Sequence, residues 1–192
     1  HYINEFYRDE TFLHMVAPGM LYISFPTEYG TVYTLNELEA LSQVCHEAQI
    51  PLYIDGARLG YGLAADGGDV TLKDIARLAD VFYIGGTKMG ALMGEAVVVT
   101  NPSLLKNITP LTKQHGALLA KGRLLGLQFE TLFSNDLYMQ IGRDAVELAL
   151  ELKDAFVERG YETVVDSPTN QQFFRLPNDL IDHLRRYASF EL

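Results

Sequence analysis

A lysine in an unusually glycine-rich stretch is the first residue of this sequence whose surroundings suit chemistry. Lys88 follows Gly85 and Gly86, and it precedes Gly90 and Gly94. Glycine lets the backbone approach a ligand closely, and desolvation at an apolar strand end favours the neutral form of a lysine. A neutral lysine is the nucleophile that condenses with a carbonyl compound. The stretch therefore predicts either such a nucleophile or an ordinary surface lysine on a flexible glycine loop.

Asp55 and Arg58, three residues apart, form a second candidate pair. Asp55 directly follows an apolar run. Pyridoxal phosphate (PLP) acts as an electron sink only while its ring nitrogen stays protonated, and a carboxylate held against that nitrogen stabilises the proton. Asp55 suits this role. The guanidinium of Arg58 suits a carboxylate ligand, which it binds with a two-pronged geometry that lysine cannot reproduce. An Asp–Arg ion pair or a turn aspartate explains the same residues without chemistry.

Short apolar runs alternate with capped amphipathic segments in front of and between these residues. We predict four strands, at residues 20–25, 51–54, 81–84 and 95–100. Runs of this length, bounded by Pro, Gly or Asn, are typical of strands buried in a sheet. Thr34 with Glu37, and Thr71 with Asp74, form capping-box patterns that predict the start of two helices. The order of these elements predicts an α/β fold with a parallel or mixed sheet.

The predicted strands bring Asp55 and Lys88 to one edge of the sheet. Each residue lies just beyond the carboxyl end of a strand. In open α/β sheets this edge is where ligands bind. The aromatic residues within the strands, by contrast, are interpreted as sheet packing: Tyr22, Tyr53, Phe82 and Tyr83.

The order of these motifs resembles that of fold-type-I PLP enzymes, and in particular the threonine aldolase and β-eliminating lyase family. The resemblance lies in four segments: MLYISFPTEYGTVYTLNELEAL, YIDGARLGYGL, DVTLKDIARLADVFYIGGTKMGALMGEAVVVTNP and KQHGALLAKGRLLGLQF. It implies a central mixed, mostly parallel sheet in part of the PLP-binding large α/β domain, residues 1–133. A connecting helix and the start of a small α+β C-terminal domain are expected over residues 134–192.

The resemblance also implies roles for individual residues. Lys88 would bind PLP covalently, Asp55 would pair with the pyridinium nitrogen, and Arg58 would hold the substrate α-carboxylate. Active sites of this family lie at subunit interfaces, so a homodimer or homotetramer is expected. Lys121 or Arg123 of a neighbouring subunit would then reach the phosphate, unless the two are simply charges on a solvated helix face.

The implied reaction is cleavage of the Cα–Cβ bond of a β-hydroxy-α-amino acid to glycine and an aldehyde. Residues 26–30 depart from the family pattern, because Glu28-Tyr29 stands where many threonine aldolases carry an Asn-Thr-His segment. Glu28 is either an alternative base or a turn residue. Three rivals stay open: β-elimination on another amino acid, a non-catalytic PLP-fold subunit, and a different α/β enzyme with an ordinary Lys88.

Composition bounds the remaining possibilities. The formal net charge is -10, and Arg185-Arg186 is the sole basic cluster, which argues against nucleic acid. No apolar run reaches the length of a membrane span, and the five histidines lack metal-ligand spacing. The single Cys45 allows no internal disulfide, so a reducing cytoplasm is expected.

Both ends of the sequence suggest part of a longer protein. The chain begins at His1 instead of methionine, and residues 187–192 begin an apolar run that stops. By the resemblance, a phosphate-binding Gly-Thr turn and a ring-stacking histidine are expected upstream. A second carboxylate-binding arginine is expected downstream.

Overall fold

The computed structural model describes residues 2–190. The interpretation of the chain ends depends partly on three residues that lie outside the described range: His1, Glu191 and Leu192. The α-helices in this range are α1 (Tyr2–Arg8), α2 (Leu35–Glu47), α3 (Leu59–Leu63), α4 (Leu72–Leu78), α5 (Ile108–Gln114), α6 (Arg123–Phe133), α7 (Leu137–Val157) and α8 (Asn178–Leu184). The strands are β1 (Leu21–Ser24), β2 (Leu52–Asp55), β3 (Val81–Gly85), β4 (Glu95–Val99), β5 (Glu162–Val165) and β6 (Phe173–Arg175). Short 3-10 turns cover Phe12–His14, Thr87–Met89, Pro102–Leu105 and Ser134–Asp136.

The main sheet is mixed and mostly parallel, as the sequence predicts. Its strand order is β1-β2-β3-β4. The first three strands run parallel, with Ser24 opposite Asp55, and β4 runs antiparallel to β3. The carboxyl ends of β1, β2 and β3 therefore lie along one edge, together with the amino end of β4.

One face of this sheet carries the core. Alternate residues of β2 and β3 are buried, and helices α2 and α4 supply buried residues to the same cluster. Period-two alternation puts the apolar set of each strand on one face. The members from these four elements are Leu38, Cys45, Leu52, Ile54, Ile75, Leu78, Phe82 and Ile84.

Both predicted capping boxes are formed. The Glu37 backbone N–H donates to Thr34 Oγ1 at 3.3 Å, and the Thr34 N–H donates to Glu37 Oε2 at 2.8 Å. Thr71 and Asp74 make the same reciprocal pair at the start of α4. Each box satisfies backbone donors that a helix start otherwise leaves without partners.

The chain bends sharply between α6 and α7. Asn135 and Asp136 both take left-handed backbone conformations there, with φ of 54° and 61°. Helix α7 begins directly after this bend, at Leu137. Beyond α7, β5 and β6 pair antiparallel in a sheet of their own. The division into two domains at residue 134 stays a prediction.

Between residues 2 and 190, none of the helices has both the length and the apolar character that crossing a bilayer requires.

Candidate functional site

The turn after β2 meets the end of β3 at the carboxyl edge of the sheet. The Gly85 N–H donates to the Gly56 carbonyl at 2.8 Å, which joins that turn to the last residue of β3. A Cβ atom on Gly56 would collide with the Tyr83 carbonyl, and one on Gly85 would collide with the Ala57 carbonyl. Glycine at both positions therefore permits this approach of two backbones.

Asp55 accepts three hydrogen bonds at this edge. The Tyr22 hydroxyl, from β1, donates to Oδ2. The Tyr83 hydroxyl, from β3, donates to Oδ1, and the Ala57 backbone N–H donates to the same oxygen at 2.9 Å. The carboxylate is thus fixed from the strands on both sides of β2 and from its own turn.

These contacts favour the ionised carboxylate. Burial alone raises the pKa of Asp55, but the bonds from Tyr22, Tyr83 and Ala57 and the positive charge of Lys88 outweigh it, so the pKa lies below its ordinary value. The bond to Asp55, helped by burial, raises the pKa of Tyr22 to about 12. Burial, followed by its bond to Asp55, raises the pKa of Tyr83 as well. Both phenols therefore stay protonated donors at neutral pH.

Lys88 lies in the short 3-10 turn Thr87–Met89 with its side chain exposed. Its backbone carbonyl accepts a hydrogen bond from the Tyr61 hydroxyl of α3. Over residues 2–190, its Nζ makes no hydrogen bond or salt bridge. Asp55 ends β2, and Lys88 lies in the turn after β3, which runs parallel to β2, so the prediction that the two residues share one edge of the sheet is confirmed. The backbone of Lys88 is therefore held while its amine is uncommitted. Because the side chain is exposed, the desolvation expected from the sequence is not observed.

The glycine stretch around Lys88 is held in place from three directions. Tyr138, only 1% exposed, donates from α7 to the Gly85 carbonyl at 3.0 Å. The Glu95 carboxylate accepts the Gly86 N–H at 2.6 Å. Farther along, Gln128 Oε1 accepts the Leu92 N–H at 2.7 Å. These bonds argue against a flexible loop around Lys88.

Arg58 reaches the same edge but does not pair with Asp55. One of its terminal nitrogens lies 3.2 Å from Oε2 and 3.5 Å from Oε1 of Glu28, in the turn after β1. The Arg58 side chain is 23% exposed and that of Glu28 is 71% exposed. The Asp–Arg ion pair considered from the sequence is therefore wrong, although Asp55 does bond its own turn at Ala57.

Lys121 and Arg123 are not brought to this edge by any hydrogen bond or ion pair in the described part of the chain. Both are exposed, one in the turn before α6 and the other at its first residue. Their predicted reach to a neighbouring subunit stays a prediction. No group of three or more His, Cys, Asp or Glu residues within 2–190 is arranged to hold a metal ion.

Tyr22, Tyr83 and Glu95 are site residues that sequence reasoning missed. Tyr22 does stack on Tyr53, with ring centroids 5.3 Å apart, as expected for sheet packing. The interpretation of Tyr22 and Tyr83 as packing alone is wrong, because both hydroxyls bond Asp55. Tyr22 lies on β1 and Tyr83 on β3, the two strands next to β2. That adjacency was the sequence signal that could have placed both tyrosines beside Asp55.

A surface cavity of about 780 Å³ lies elsewhere on the molecule. Pro51 and Asp80, which precede β2 and β3, help to line it, so it opens at the amino edge of those strands. It contains none of the predicted site residues. The chemistry-bearing residues instead face solvent at the opposite edge.

Comparison with known proteins defines the class of the molecule. Over 91% of this chain and 51% of the other, the structure matches the threonine aldolase of Leishmania major with a TM-score of 0.88 and 45% identity. An aspartate aminotransferase of Thermus thermophilus, 18% identical with a TM-score of 0.60, shares the fold alone. The protein has the α/β fold of the fold-type-I PLP-dependent enzymes.

The sequence defines the family within that class. The model of the β-eliminating lyase family matches residues 2–176, so the chain belongs to this family. The low specificity L-threonine aldolase of Pseudomonas aeruginosa is 29% identical over 174 residues, which is 90% of this chain and 50% of that protein. The yeast (Saccharomyces cerevisiae) enzyme of the same name is 31% identical over 83% of this chain and 41% of its own length. The chain thus spans about half the length of these relatives.

Proposed function

We propose that the protein is a PLP-dependent carbon–carbon lyase that cleaves β-hydroxy-α-amino acids to glycine and an aldehyde. One observation carries the proposal: an uncommitted lysine amine lies at the same sheet edge as a triply hydrogen-bonded, ionised Asp55. The relatives named threonine aldolase, and the 45% identity to the Leishmania structure, support the same reading.

The residues present fit PLP. A carboxylate offers about four acceptor positions, and three at Asp55 are taken by Tyr22, Tyr83 and Ala57. The remaining position suits the N–H of a pyridinium ring, and the ionised state of Asp55 stabilises that proton. When bound, PLP supplies an electron sink for the bond that breaks next to the substrate nitrogen. Lys88 would hold the cofactor through Nζ.

Arg58 is proposed to bind the substrate α-carboxylate. A guanidinium three residues after Asp55 would orient the amino acid, and orientation selects which bond at Cα breaks. Arg58 follows the turn that Asp55 closes, so both groups are placed by the same few residues. Loss of Arg58 would therefore weaken substrate binding and loosen the choice of reaction.

The active unit is proposed to be a cytoplasmic homodimer or homotetramer that acts on small amino acids. Lys121 supports this assembly as an exposed cation with no partner within the described residues, available to a phosphate across an interface. Arg123, two residues on, is the alternative cation. A buried Cys45 is compatible with a reducing compartment.

Product analysis tests the proposed reaction. The intact, PLP-loaded protein is incubated with L-threonine, and glycine and acetaldehyde are quantified beside ammonia and keto acid. We expect glycine and acetaldehyde in equal amounts. Ammonia with a keto acid would instead assign β-elimination, and the absence of both product pairs from a panel of β-hydroxy amino acids would favour a non-catalytic subunit.

An Arg58→Gln variant should raise KM for threonine by about tenfold or more, the cost of a lost charged hydrogen bond.

A further inference from the structure

The turn that carries Glu28 is closed on itself. The Thr27 N–H donates to the Thr31 carbonyl at 2.9 Å, and the Gly30 N–H donates to the Thr27 carbonyl at the same distance. The hydroxyls of Thr27 and Thr31 also bond each other at 2.6 Å. The backbone on both sides of Glu28 is thereby fixed after the end of β1.

The segment after β5 holds this turn from outside. Ser167, which is fully buried, donates to the Gly30 carbonyl at 3.1 Å across 137 residues of sequence. Gln171 Nε2 donates to the Glu28 carbonyl at 3.4 Å. Glu28 therefore has an anchored backbone and a largely solvent-exposed side chain, whose recorded partner is Arg58.

Arg58 contacts Glu28 through one terminal nitrogen, and the two-pronged geometry that a ligand carboxylate could adopt is not formed. That nitrogen reaches both carboxylate oxygens, at 3.2 and 3.5 Å. No other hydrogen bond or salt bridge to the Arg58 guanidinium is present among residues 2–190. An arginine that faces the site thus has a single carboxylate partner, supplied by the neighbouring turn.

We infer that Glu28 limits the affinity of the site for its substrates, because it competes with the substrate α-carboxylate for Arg58. The inference rests on the proposed function, because it takes Arg58 as the carboxylate-binding group. A ligand must displace Glu28 before its own carboxylate reaches the guanidinium. The displaced side chain swings into solvent at little cost, since it is already 71% exposed. Glu28 therefore weakens the binding of every ligand that carries an α-carboxylate, and it leaves ligands without that group unaffected.

A different role for Glu28, as the base that takes the β-hydroxyl proton, makes an opposite prediction. A base acts on turnover, so its loss lowers kcat. A competitor acts on binding, so its loss lowers the Kd of carboxylate ligands. Measuring Kd in the absence of turnover separates the two.

The test is a spectral titration of the intact, PLP-loaded protein with glycine and with methylamine, which lacks the carboxylate. We expect Glu28→Gln to lower the Kd of glycine by about fivefold, the upper end for an ion pair with one exposed partner. The Kd of methylamine should not change. In an Arg58→Gln background, Glu28→Gln should have no effect on glycine. Glu151→Gln, an equal loss of charge on the exposed surface of α7, is the matched control.

Each other outcome overturns the inference. An unchanged Kd for glycine, or an equal change for both amines, removes the competition. A fall in kcat with an unchanged Kd for glycine assigns Glu28 as the base. If the parent protein forms no visible band with PLP, the proposed function itself fails, whereas a parent with the band and an unresponsive Glu28→Gln variant refutes the competition alone.

Discussion

Tyr83 of β3 donates a hydrogen bond to Oδ1 of Asp55, the last residue of the neighbouring strand β2. Tyr22 does the same to Oδ2 from the other side. These contacts within the protein favour the ionised form of Asp55 without any cofactor. The carboxylate that we propose for the pyridinium nitrogen is therefore held in place by the sheet.

Replacement of Tyr83 by Phe should raise the pKa of Asp55 towards its ordinary value, because one donor to the anion is lost. The free energy of unfolding at pH 7 should fall by about 1 kcal/mol. A carboxylate whose pKa is lowered by folding stabilises the protein above its unfolded pKa, and that contribution is lost as pH falls through the folded pKa. The difference between variant and parent in urea unfolding should therefore shrink in acid. Tyr187→Phe, on an exposed tyrosine, is the control; a loss independent of pH would contradict the account.

Replacement of Gly30 by Ala should disrupt the contact between the turn after β1 and the segment after β5. Gly30 has a φ of 73°, and an added Cβ would collide with the Ser167 side chain and lie 2.8 Å from Thr169 Oγ1. Gly67→Ala is the matched control, since its φ is 69° but nothing lies within 4 Å of its Cβ. We expect losses in urea unfolding of about 1 kcal/mol for Gly67→Ala and about 3 kcal/mol for Gly30→Ala, which adds overpacking. Equal losses would show that the contact contributes nothing.

Replacement of Gln128 by Ala should loosen the segment that follows Lys88. Gln128 accepts the N–H groups of Leu92 and Met93 and donates to the Met93 carbonyl at 3.2 Å. Loss of one hydrogen bond costs about 1 kcal/mol, so hydrogen exchange at Leu92 should accelerate by about fivefold. Gln43→Ala, which removes a surface pair with Glu47 on α2, should leave that exchange unchanged. No acceleration in Gln128→Ala would mean that the segment is held by other contacts.

Local patterns predicted much of the fold and part of the site. The strand positions follow from short apolar runs, and two helix starts follow from Thr34 and Thr71, because both depend on neighbours within four residues. Asp55 and Lys88 were predictable as a pair because Asp55 ends one strand, Lys88 closely follows the end of the next, and the two strands are parallel.

The remaining contacts depend on packing that no local pattern encodes. Arg58 pairs with Glu28, which is 30 residues away in the sequence. This pairing depends on the position of the turn after β1 in the folded protein. Helix α3 was missed because Gly60 and Gly62 weaken a helix by propensity. In the structure, Gly142 of α7 packs against the Gly60 backbone, and this tertiary contact helps to stabilise the helix.

The most direct test of the account is whether Lys88 carries PLP. The intact protein is mixed with PLP, its visible absorption is recorded, and the complex is reduced with borohydride and mapped by peptide mass. We expect a visible band in the parent and in a Lys106→Ala control, with the reduced label on Lys88, and no band in Lys88→Ala. A band that persists in Lys88→Ala, or a label on another lysine of the parent, would contradict the assignment of this site.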